Sequence, residues 1–207
     1  MVSLNKSRRA VRRVVAKLAR FIDKASNGRI TPDAITWTGV VAHLPIAILI
    51  AYGKLELAGV LLIFFGLFDV LDGELARHKK IASPRGMVLD ASTDRVKEVM
   101  IYSAIAYNIS QTAYFSWAWI PMLALGTTLT VTYIKAKGEV AYAINNKSSD
   151  HHQLNRHFDE GLVPFEARIF IIIIGLFAGQ LLLASVLVAI LGTVSMFERI
   201  KFITKKV

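Results

Sequence analysis

Apolar residues fall along this chain in runs that are long enough to cross a membrane. Six segments are dominated by apolar side chains: about 34–52, 55–77, 87–109, 113–136, 165–179 and 181–198. A helix of roughly 20 such residues spans the hydrocarbon core of a bilayer. The pattern predicts an all-α integral membrane protein with six transmembrane helices. The division of the last two spans depends on Gly179 and Gln180, the turn available in that stretch.

The stretch before the first span has a different periodicity, with one apolar face and one basic face. The apolar face comprises Leu4, Val11, Val14, Val15, Leu18 and Ile22, and the opposite face comprises Arg9, Arg13, Lys17, Arg20 and Lys24. This arrangement predicts an amphipathic juxtamembrane helix in the headgroup layer of an anionic leaflet. A basic tail that only enforces topology is the alternative. We therefore predict a surface helix and linker over residues 1–30 and a six-helix transmembrane domain over 31–207.

The charge distribution predicts the orientation of these helices. The net charge is +10, and nine of the 25 Lys and Arg residues lie in the first 29 positions. Six spans with a cytoplasmic amino end leave Lys54 as the one cation in an outer loop, as the positive-inside rule requires. Five spans would place Arg199, Lys201, Lys205 and Lys206 outside. We expect a multi-pass protein of the cell (plasma or inner) membrane with both ends cytoplasmic, no cleaved signal peptide and no nucleic-acid partner.

Two pairs of acidic residues interrupt the apolar spans near their predicted cytoplasmic ends. Asp69 and Asp72 belong to the second span, and Asp90 and Asp94 to the third. An Asp at the centre of a membrane helix costs about 2.5–3.5 kcal/mol on insertion scales, so such residues usually serve a function. Hard oxygen ligands of this kind suit Mg²⁺ or Mn²⁺ shared with substrate phosphates. Acids that only pair with Arg77, Arg95 and Lys97 are the structural alternative.

The acidic pairs belong to a longer pattern of fixed spacing. It reads D-x-x-D-G-x-x-A-R, eight residues, then G-x-x-x-D-x-x-x-D, and its fixed positions are Asp69, Asp72, Gly73, Ala76, Arg77, Gly86, Asp90 and Asp94. The pattern resembles the signature of the CDP-alcohol phosphatidyltransferases. The predicted six helices, the amphipathic helix and the entry T-P-D-A-I-T at 31–36 are also similar to that family.

The resemblance implies a metal-dependent transferase of phospholipid biosynthesis that acts at the cytoplasmic face. It would move a phosphatidyl-type group from a CDP-diacylglycerol or CDP-archaeol type lipid to a small polar alcohol and release CMP. Two divalent ions, Mg²⁺ or Mn²⁺, would be held by Asp69, Asp72, Asp90 and Asp94, with Asp94 also the general base. Asp69, Asp72, Gly73, Ala76, Arg77 and Gly86 would bind the CDP part, and Gly86 would allow close helix approach. The resemblance also implies a homodimer surrounded by membrane lipids.

A second motif bears on the acceptor alcohol. The stretch from Tyr133 to Glu139 is similar to one in the family's phosphatidylinositol-phosphate and archaetidylinositol-phosphate synthases. Lys135, Arg168 and Arg199 are then the candidate acceptor-binding residues, because a phosphorylated alcohol needs several cations. Inositol 1-phosphate is the favoured acceptor and glycerol 3-phosphate the alternative. Cations that only reach towards the membrane interface are the structural alternative.

Two further interpretations compete with these predictions. A polytopic transporter also places acids in membrane helices, but it favours acids near the midplane and repeated halves. Here the acids are biased to one end, and the sequence shows no repeat. His151, His152 and His157 suggest a metal site, yet their polar surroundings and the absence of cysteine favour a solvated loop.

Overall fold

The computed structural model describes residues 2–146 and 165–206, and every regular element in these ranges is helical. The helices are α1 (Val2–Ala25), α2 (Pro32–Ala51), α3 (Leu55–Gly66), α4 (Phe68–His78), α5 (Pro84–Ser110), α6 (Ile120–Asn146), α7 (Phe165–Ala178) and α8 (Leu181–Lys206), with a 3₁₀ turn at Phe115–Trp117. The prediction of an all-α protein is confirmed.

Three segments of the described chain are long and apolar enough to be candidate membrane spans. They are Pro32–Ala51, Phe115–Tyr142 and Leu181–Lys205, and the apolar helix Ala167–Ala178 is shorter. The predicted second span is two helices, because the chain tightens at Leu67, whose amide bonds to the carbonyl of Phe64 at 3.3 Å rather than one residue further back. The rings of Phe64, Phe65 and Phe68 pack together across this break, with centroids 5.1 to 5.9 Å apart.

Other predicted boundaries shift at turns that periodicity does not detect. The fourth span was expected from residue 113, but the chain turns there and α6 begins at Ile120, followed by Pro121 in its first turn. Proline suits that position because its missing N–H would be unpaired in any case. At its other end α6 runs to Asn146, ten residues past the predicted end of the span. The histidines at 151, 152 and 157 lie outside the described residues.

The predicted turn between the last two apolar segments is present. Gly179 has φ +66°, a left-handed conformation that glycine adopts without steric cost. The amide of Gln180 then bonds to the carbonyl of Gly175 at 2.8 Å, which closes α7 before α8 begins at Leu181. The two helices are therefore separate elements, as the sequence predicted.

The described chain divides into two compact units, residues 1–101 and 102–207, with the division inside α5. In the first unit, α4 packs against both α1 and α2. The apolar core of this packing comprises Val15, Ala19, Ile35, Leu71 and Leu75. Burial of this core holds α4, the helix with the first acidic pair, between two neighbours.

The linker between α1 and α2 is fixed to the end of α4. Gly28, with φ +76°, donates its amide to the carbonyl of Asp23 at 2.8 Å and ends α1 in a typical glycine cap. Lys79 Nζ donates to the carbonyl oxygens of Gly28 at 2.8 Å and Ile30 at 2.7 Å, and pairs with Asp23 at 3.0 Å. These contacts fix the linker to the carboxyl end of α4.

In the second unit, α8 packs against α6 and α7. Small residues lie at these contacts: a Cβ added at Gly192 would meet the side chain of Thr127, and one added at Gly138 would lie 2.7 Å from Ile203. Glycines of this kind let helix backbones approach closely, as is common between helices in membranes.

Candidate active site

The first acidic pair lies on α4, whose sequence F-D-V-L-D-G-E-L-A-R-H alternates between core and site. Leu71 and Leu75 are buried in the core of the first unit. Asp72, Gly73, Ala76 and Arg77 line a cleft of about 450 Å³. The i, i+3 and i+4 spacing of a helix produces this separation of the two faces.

The cleft is formed by three stretches of the first unit. The start of α2 contributes Thr31, Pro32, Asp33 and Thr36, and α4 contributes the four residues named above. The chain from Ile81 into the first turns of α5 contributes the rest, including Met87 and Asp90. Thr31 caps α2, since its Oγ1 accepts the amide of Ala34 at 3.2 Å, and Pro32 occupies the first turn. Six of the eight signature residues line this cleft: Asp72, Gly73, Ala76, Arg77, Gly86 and Asp90.

Asp72 is oriented by a neighbouring helix. Thr36 of α2 donates its hydroxyl to Asp72 Oδ2 at 2.5 Å, and both residues are buried. A charge-assisted hydrogen bond of this length fixes the carboxylate plane. Asp72 therefore presents its other oxygen in an orientation that α2 determines.

Asp69 and Asp94 share one cation. Lys97 Nζ donates to Asp69 Oδ1, and to Asp94 Oδ1 at 2.9 Å. The lysine side chain is 5% exposed, whereas those of Asp69 and Asp94 are 27% and 20% exposed. These two aspartates are not among the described residues that line the cleft. The sequence allowed the acids to pair with Arg77, Arg95 or Lys97, and the pairing with Lys97 is present. Arg77 instead pairs with Glu74, and Arg95 with Glu98, at 2.8 Å each.

Asp90 differs from the other three carboxylates. Its Oδ1 is buried and has no hydrogen-bond partner among the described residues. An unpaired buried carboxylate oxygen is costly unless a cation satisfies it. Asp90 also lines the cleft, so its carboxylate lies beside the space that an ion bound with the substrate would occupy.

The donor set fits a divalent ion in its chemistry. Carboxylate oxygens are the ligands that Mg²⁺ and Mn²⁺ prefer, and Asp90 supplies an oxygen that has no hydrogen-bond partner in the described ranges. In the described part of the chain, however, no three His, Cys, Asp or Glu side chains are grouped closely enough to enclose an ion. The ammonium of Lys97 lies between Asp69 and Asp94.

Two glycines of the signature lie at the cleft without a side chain. A Cβ added at Gly73 would lie 3.5 Å from the guanidinium of Arg77, which covers the backbone there. A Cβ added at Gly86 would meet only Ser83 Oγ within 4 Å, at 3.6 Å, among the described residues. Gly86 therefore lines the cleft, and its role in close helix approach stays a prediction.

The three candidate acceptor residues belong to the second unit. Arg168 of α7 is buried at 5% exposure, and Arg199 of α8 is partly buried. Lys135 of α6 is 28% exposed and lies 3.9 Å from Glu139, one turn later. Lys135 and Arg168 thus lie on the two helices that pack against α8, and Arg199 lies on α8 itself.

Sequence reasoning missed two members of the acidic centre. Thr36 was noted only as part of the entry to α2, and Lys97 only as a possible structural partner of the acids. A polar threonine one turn into an apolar span and a lysine one turn after Asp94 were the available signals. Neither signal identifies the contacts of Thr36 with Asp72 or of Lys97 with Asp69, because each of these joins two helices.

Comparison with known proteins agrees with this geometry. Residues 29–197 match the sequence profile of the family described as CDP-alcohol phosphatidyltransferase. A phosphatidylinositol phosphate synthase of Mycobacterium marinum is 32% identical over 137 residues, which cover 65% of this chain and 57% of that protein. An archaetidylinositol phosphate synthase of Methanothermobacter thermautotrophicus is 28% identical over 196 residues, 91% of each chain. The chain thus spans about six tenths of the length of the mycobacterial relative and most of the archaeal one.

Solved structures share the fold. The phosphatidylinositol phosphate synthase of Mycobacterium tuberculosis in complex with manganese and citrate superposes with a TM-score of 0.77 at 23% identity, covering 92% of this chain and 88% of that one. The same protein with CDP-DAG bound gives a TM-score of 0.76 at 24% identity, covering 92% and 94%. The family profile extends over most of the sequence and includes the whole acidic signature. This chain belongs to the CDP-alcohol phosphatidyltransferase family.

Proposed function

We propose that this protein transfers a phosphatidyl-type group from a CDP-linked lipid to the hydroxyl of a phosphorylated polyol and releases CMP. The observation that carries the proposal is the folding of the family signature around one cleft: six of its eight residues line that cleft. Similarity to a bacterial phosphatidylinositol phosphate synthase and to an archaeal archaetidylinositol phosphate synthase favours inositol 1-phosphate as the acceptor.

The residues of the acidic centre would bind either the divalent ions or the CDP part of the donor. Asp69, Asp72, Asp90 and Asp94 would hold two divalent ions, Mg²⁺ or Mn²⁺, which when bound neutralise the diphosphate and stabilise charge in the transition state. Gly73, Ala76, Arg77 and Gly86 would bind the CDP part beside Asp69 and Asp72. Gly73 and Gly86 leave room for a flat base, and the 56% exposed Arg77 side chain supplies a cation at the cleft.

Asp94 is the general base of this proposal. Its carboxylate would accept the proton of the acceptor hydroxyl while that oxygen forms a bond to the phosphorus attached to the lipid. The bond from the same phosphorus to the CMP oxygen breaks, so one P–O bond forms and one is lost. Lys97 supports this role because it fixes one carboxylate oxygen of Asp94 at 2.9 Å.

Lys135, Arg168 and Arg199 are the proposed residues for the acceptor phosphate. A buried guanidinium such as that of Arg168 is well suited to bidentate recognition of a phosphate.

We expect Arg199→Met to raise KM for the acceptor several-fold while leaving KM for the CDP-lipid within twofold. An equal increase in both constants would contradict a role in acceptor binding.

The family and the apolar helices indicate a membrane location, and we propose a more detailed arrangement. The apolar segments support six membrane spans over residues 31–207, and exposed apolar residues on α2 and α3, such as Val41, Ile48, Val60 and Phe64, support contact with lipid. Val14, Leu18 and Phe21 of α1 are exposed on one face, which supports a juxtamembrane helix within residues 1–30. The active site and both ends would be cytoplasmic. A homodimer rests on the family resemblance.

The acceptor is tested with purified protein and separate alcohols. CDP-diacylglycerol or CDP-archaeol is supplied with Mg²⁺ or Mn²⁺, and inositol 1-phosphate, glycerol 3-phosphate, inositol and serine are offered one at a time. We expect CMP release and a lipid product of the corresponding mass with inositol 1-phosphate. Turnover with glycerol 3-phosphate alone would change the acceptor and retain the reaction, whereas no CMP release with any combination would contradict the proposed function.

A further inference from the structure

Lys97 is a charged member of the acidic centre that the family signature does not include. It lies on α5 one turn after Asp94, and its ammonium contacts both Asp94 and Asp69 of the facing helix α4. The side chain is 5% exposed, so these contacts are shielded from solvent. A lysine in this position connects the two acidic pairs of the signature.

Burial of this lysine needs a compensating interaction. Desolvation of an ammonium costs several kcal/mol, and only well-placed opposite charges offset that cost. Lys97 has two such charges, whereas the neighbouring cations Arg77 and Arg95 form ion pairs with Glu74 and Glu98. The geometry therefore selects Lys97 as the partner of the aspartates.

The location of the ammonium matters because it coincides with metal ligands of the proposed function. Lys97 Nζ contacts the Oδ1 atoms of Asp69 and Asp94, and these two aspartates do not line the cleft with Asp72 and Asp90. A divalent ion that bound Asp69 and Asp94 through these oxygens would meet the ammonium at close range. The two cations would repel each other.

We propose that Lys97 is a positioning residue and an internal counter-ion, which holds Asp69 and Asp94 together and competes with the divalent ion for their Oδ1 atoms. This inference rests on the proposed metal-dependent function. It follows that the ion binds less tightly than four carboxylates alone would bind it. Lys97 also keeps α4 and α5 in register when no ion is bound, because it neutralises carboxylates that would otherwise repel.

The test measures metal binding rather than turnover. Purified full-length protein without substrate is titrated with Mn²⁺, and free Mn²⁺ is followed by electron paramagnetic resonance. Lys97→Met keeps an unbranched side chain of similar length and removes the charge. We expect it to bind Mn²⁺ about tenfold more tightly than the unmodified chain, because a unit charge near a divalent ion is removed. Lys97→Arg keeps the charge and should remain within about threefold of the unmodified protein.

Lys80→Met is the matched control. It makes the same chemical change in the same unit at an exposed lysine, so Mn²⁺ affinity should not change. Equal or weaker binding by Lys97→Met, with measurable binding by the unmodified chain, would overturn the role of Lys97 and leave the metal-dependent function standing. Absence of Mn²⁺ binding by every variant would overturn this inference and count against the proposed function as well.

A second measurement, the midpoint of thermal unfolding with and without Mn²⁺, tests the proposal even if Lys97→Met is less stable than the unmodified chain. Without its counter-ion, Lys97→Met should unfold at a lower temperature than the unmodified chain in EDTA. Added Mn²⁺ should raise its unfolding midpoint by more than it raises that of the unmodified chain, since the ion then replaces the missing cation. Equal increases in the two proteins would overturn the proposal even if the variant is recovered only in small amounts.

Discussion

Individual side chains give the four aspartates of this centre different environments. Asp72 accepts a hydrogen bond from Thr36, Asp90 has a buried oxygen without a hydrogen-bond partner in the described chain, and Asp69 and Asp94 share Lys97. The four residues are equivalent in the signature but not in the structure. Each environment therefore supports a separate prediction.

Thr36 tests the orientation of Asp72. Thr36→Val keeps the shape of the side chain and removes the donor that lies 2.5 Å from Asp72 Oδ2. Loss of a hydrogen bond to a buried charge should lower the free energy of unfolding by about 1–3 kcal/mol and reduce kcat/KM. Thr36→Ser should restore most of both, because it returns the hydroxyl. Thermal unfolding and CMP release measure the two effects, and a valine variant that matched the unmodified protein in both would contradict the assignment.

Gly73 tests the floor of the cleft. A Cβ at this position makes only ordinary contacts with Arg77, so Gly73→Ala should fold and gain up to about 1 kcal/mol from helix propensity. The added methyl group would enter the space for the donor, and we expect KM for the CDP-lipid to rise about tenfold. Gly66→Ala is the control, since a Cβ there meets no atom of the described residues within 4 Å. The same KM in both variants would exclude Gly73 from the donor site.

At the residue scale, the sequence could predict one face of a helix but not contacts between helices. The spacing of Asp72, Gly73 and Ala76 placed them on one stripe, and they do line one cleft. Asp69 and Asp72 have different partners because Lys97 of α5 contacts α4 at Asp69, and this depends on the register of the two helices. Sequence spacing carries no information on that register. Lys97 could therefore be considered as a partner of Asp94, one turn away on the same helix, but its contact with Asp69 could not be predicted.

At the scale of elements, helix ends were predictable where a turn residue requires a special backbone conformation. Gly28 and Gly179 end helices with φ of +76° and +66°. The turn at Gly179 was predicted, and Gly28 lies in the linker predicted within residues 1–30. The break at Leu67 has no such residue, and it follows from local tightening of the backbone beside packed phenylalanines. Hydrophobic periodicity continues across it, which is why one span was predicted where there are two helices.

The packing of α6 against α8 gives a prediction at this scale. A Cβ at Gly192 would overlap the side chain of Thr127, whereas a Cβ at Gly126 of α6 meets no atom within 4 Å in the part of the chain that the structure describes. Gly192→Ala should therefore lower stability by about 1–3 kcal/mol, and Gly126→Ala should be neutral or slightly stabilising. The midpoint of thermal unfolding in detergent compares the two variants. Equal midpoints would show that α6 and α8 are not in close contact at Gly192.

At the scale of the whole molecule, the charge pattern predicts an orientation that chemical labelling can test. The sequence contains no cysteine, so each introduced cysteine is the single labelling site. Lys54→Cys should react with a membrane-impermeant maleimide in intact cells, because the turn after α2 is predicted to face outward. Lys205→Cys should react only after permeabilisation. Labelling of both positions in intact cells would contradict the predicted cytoplasmic carboxyl end and the six-span arrangement.

The most direct measurement of the central claim is CMP release from a CDP-lipid by the purified protein and by Asp94→Asn, which retains the shape of the base but not its charge. We predict that the unmodified protein releases CMP only when a divalent ion and an acceptor alcohol are both present. Asp94→Asn should lower kcat by about 10²–10⁴-fold, the usual contribution of a general base. An unchanged rate in Asp94→Asn, or CMP release that needs no divalent ion, would contradict the assignment of the aspartates to phosphoryl transfer.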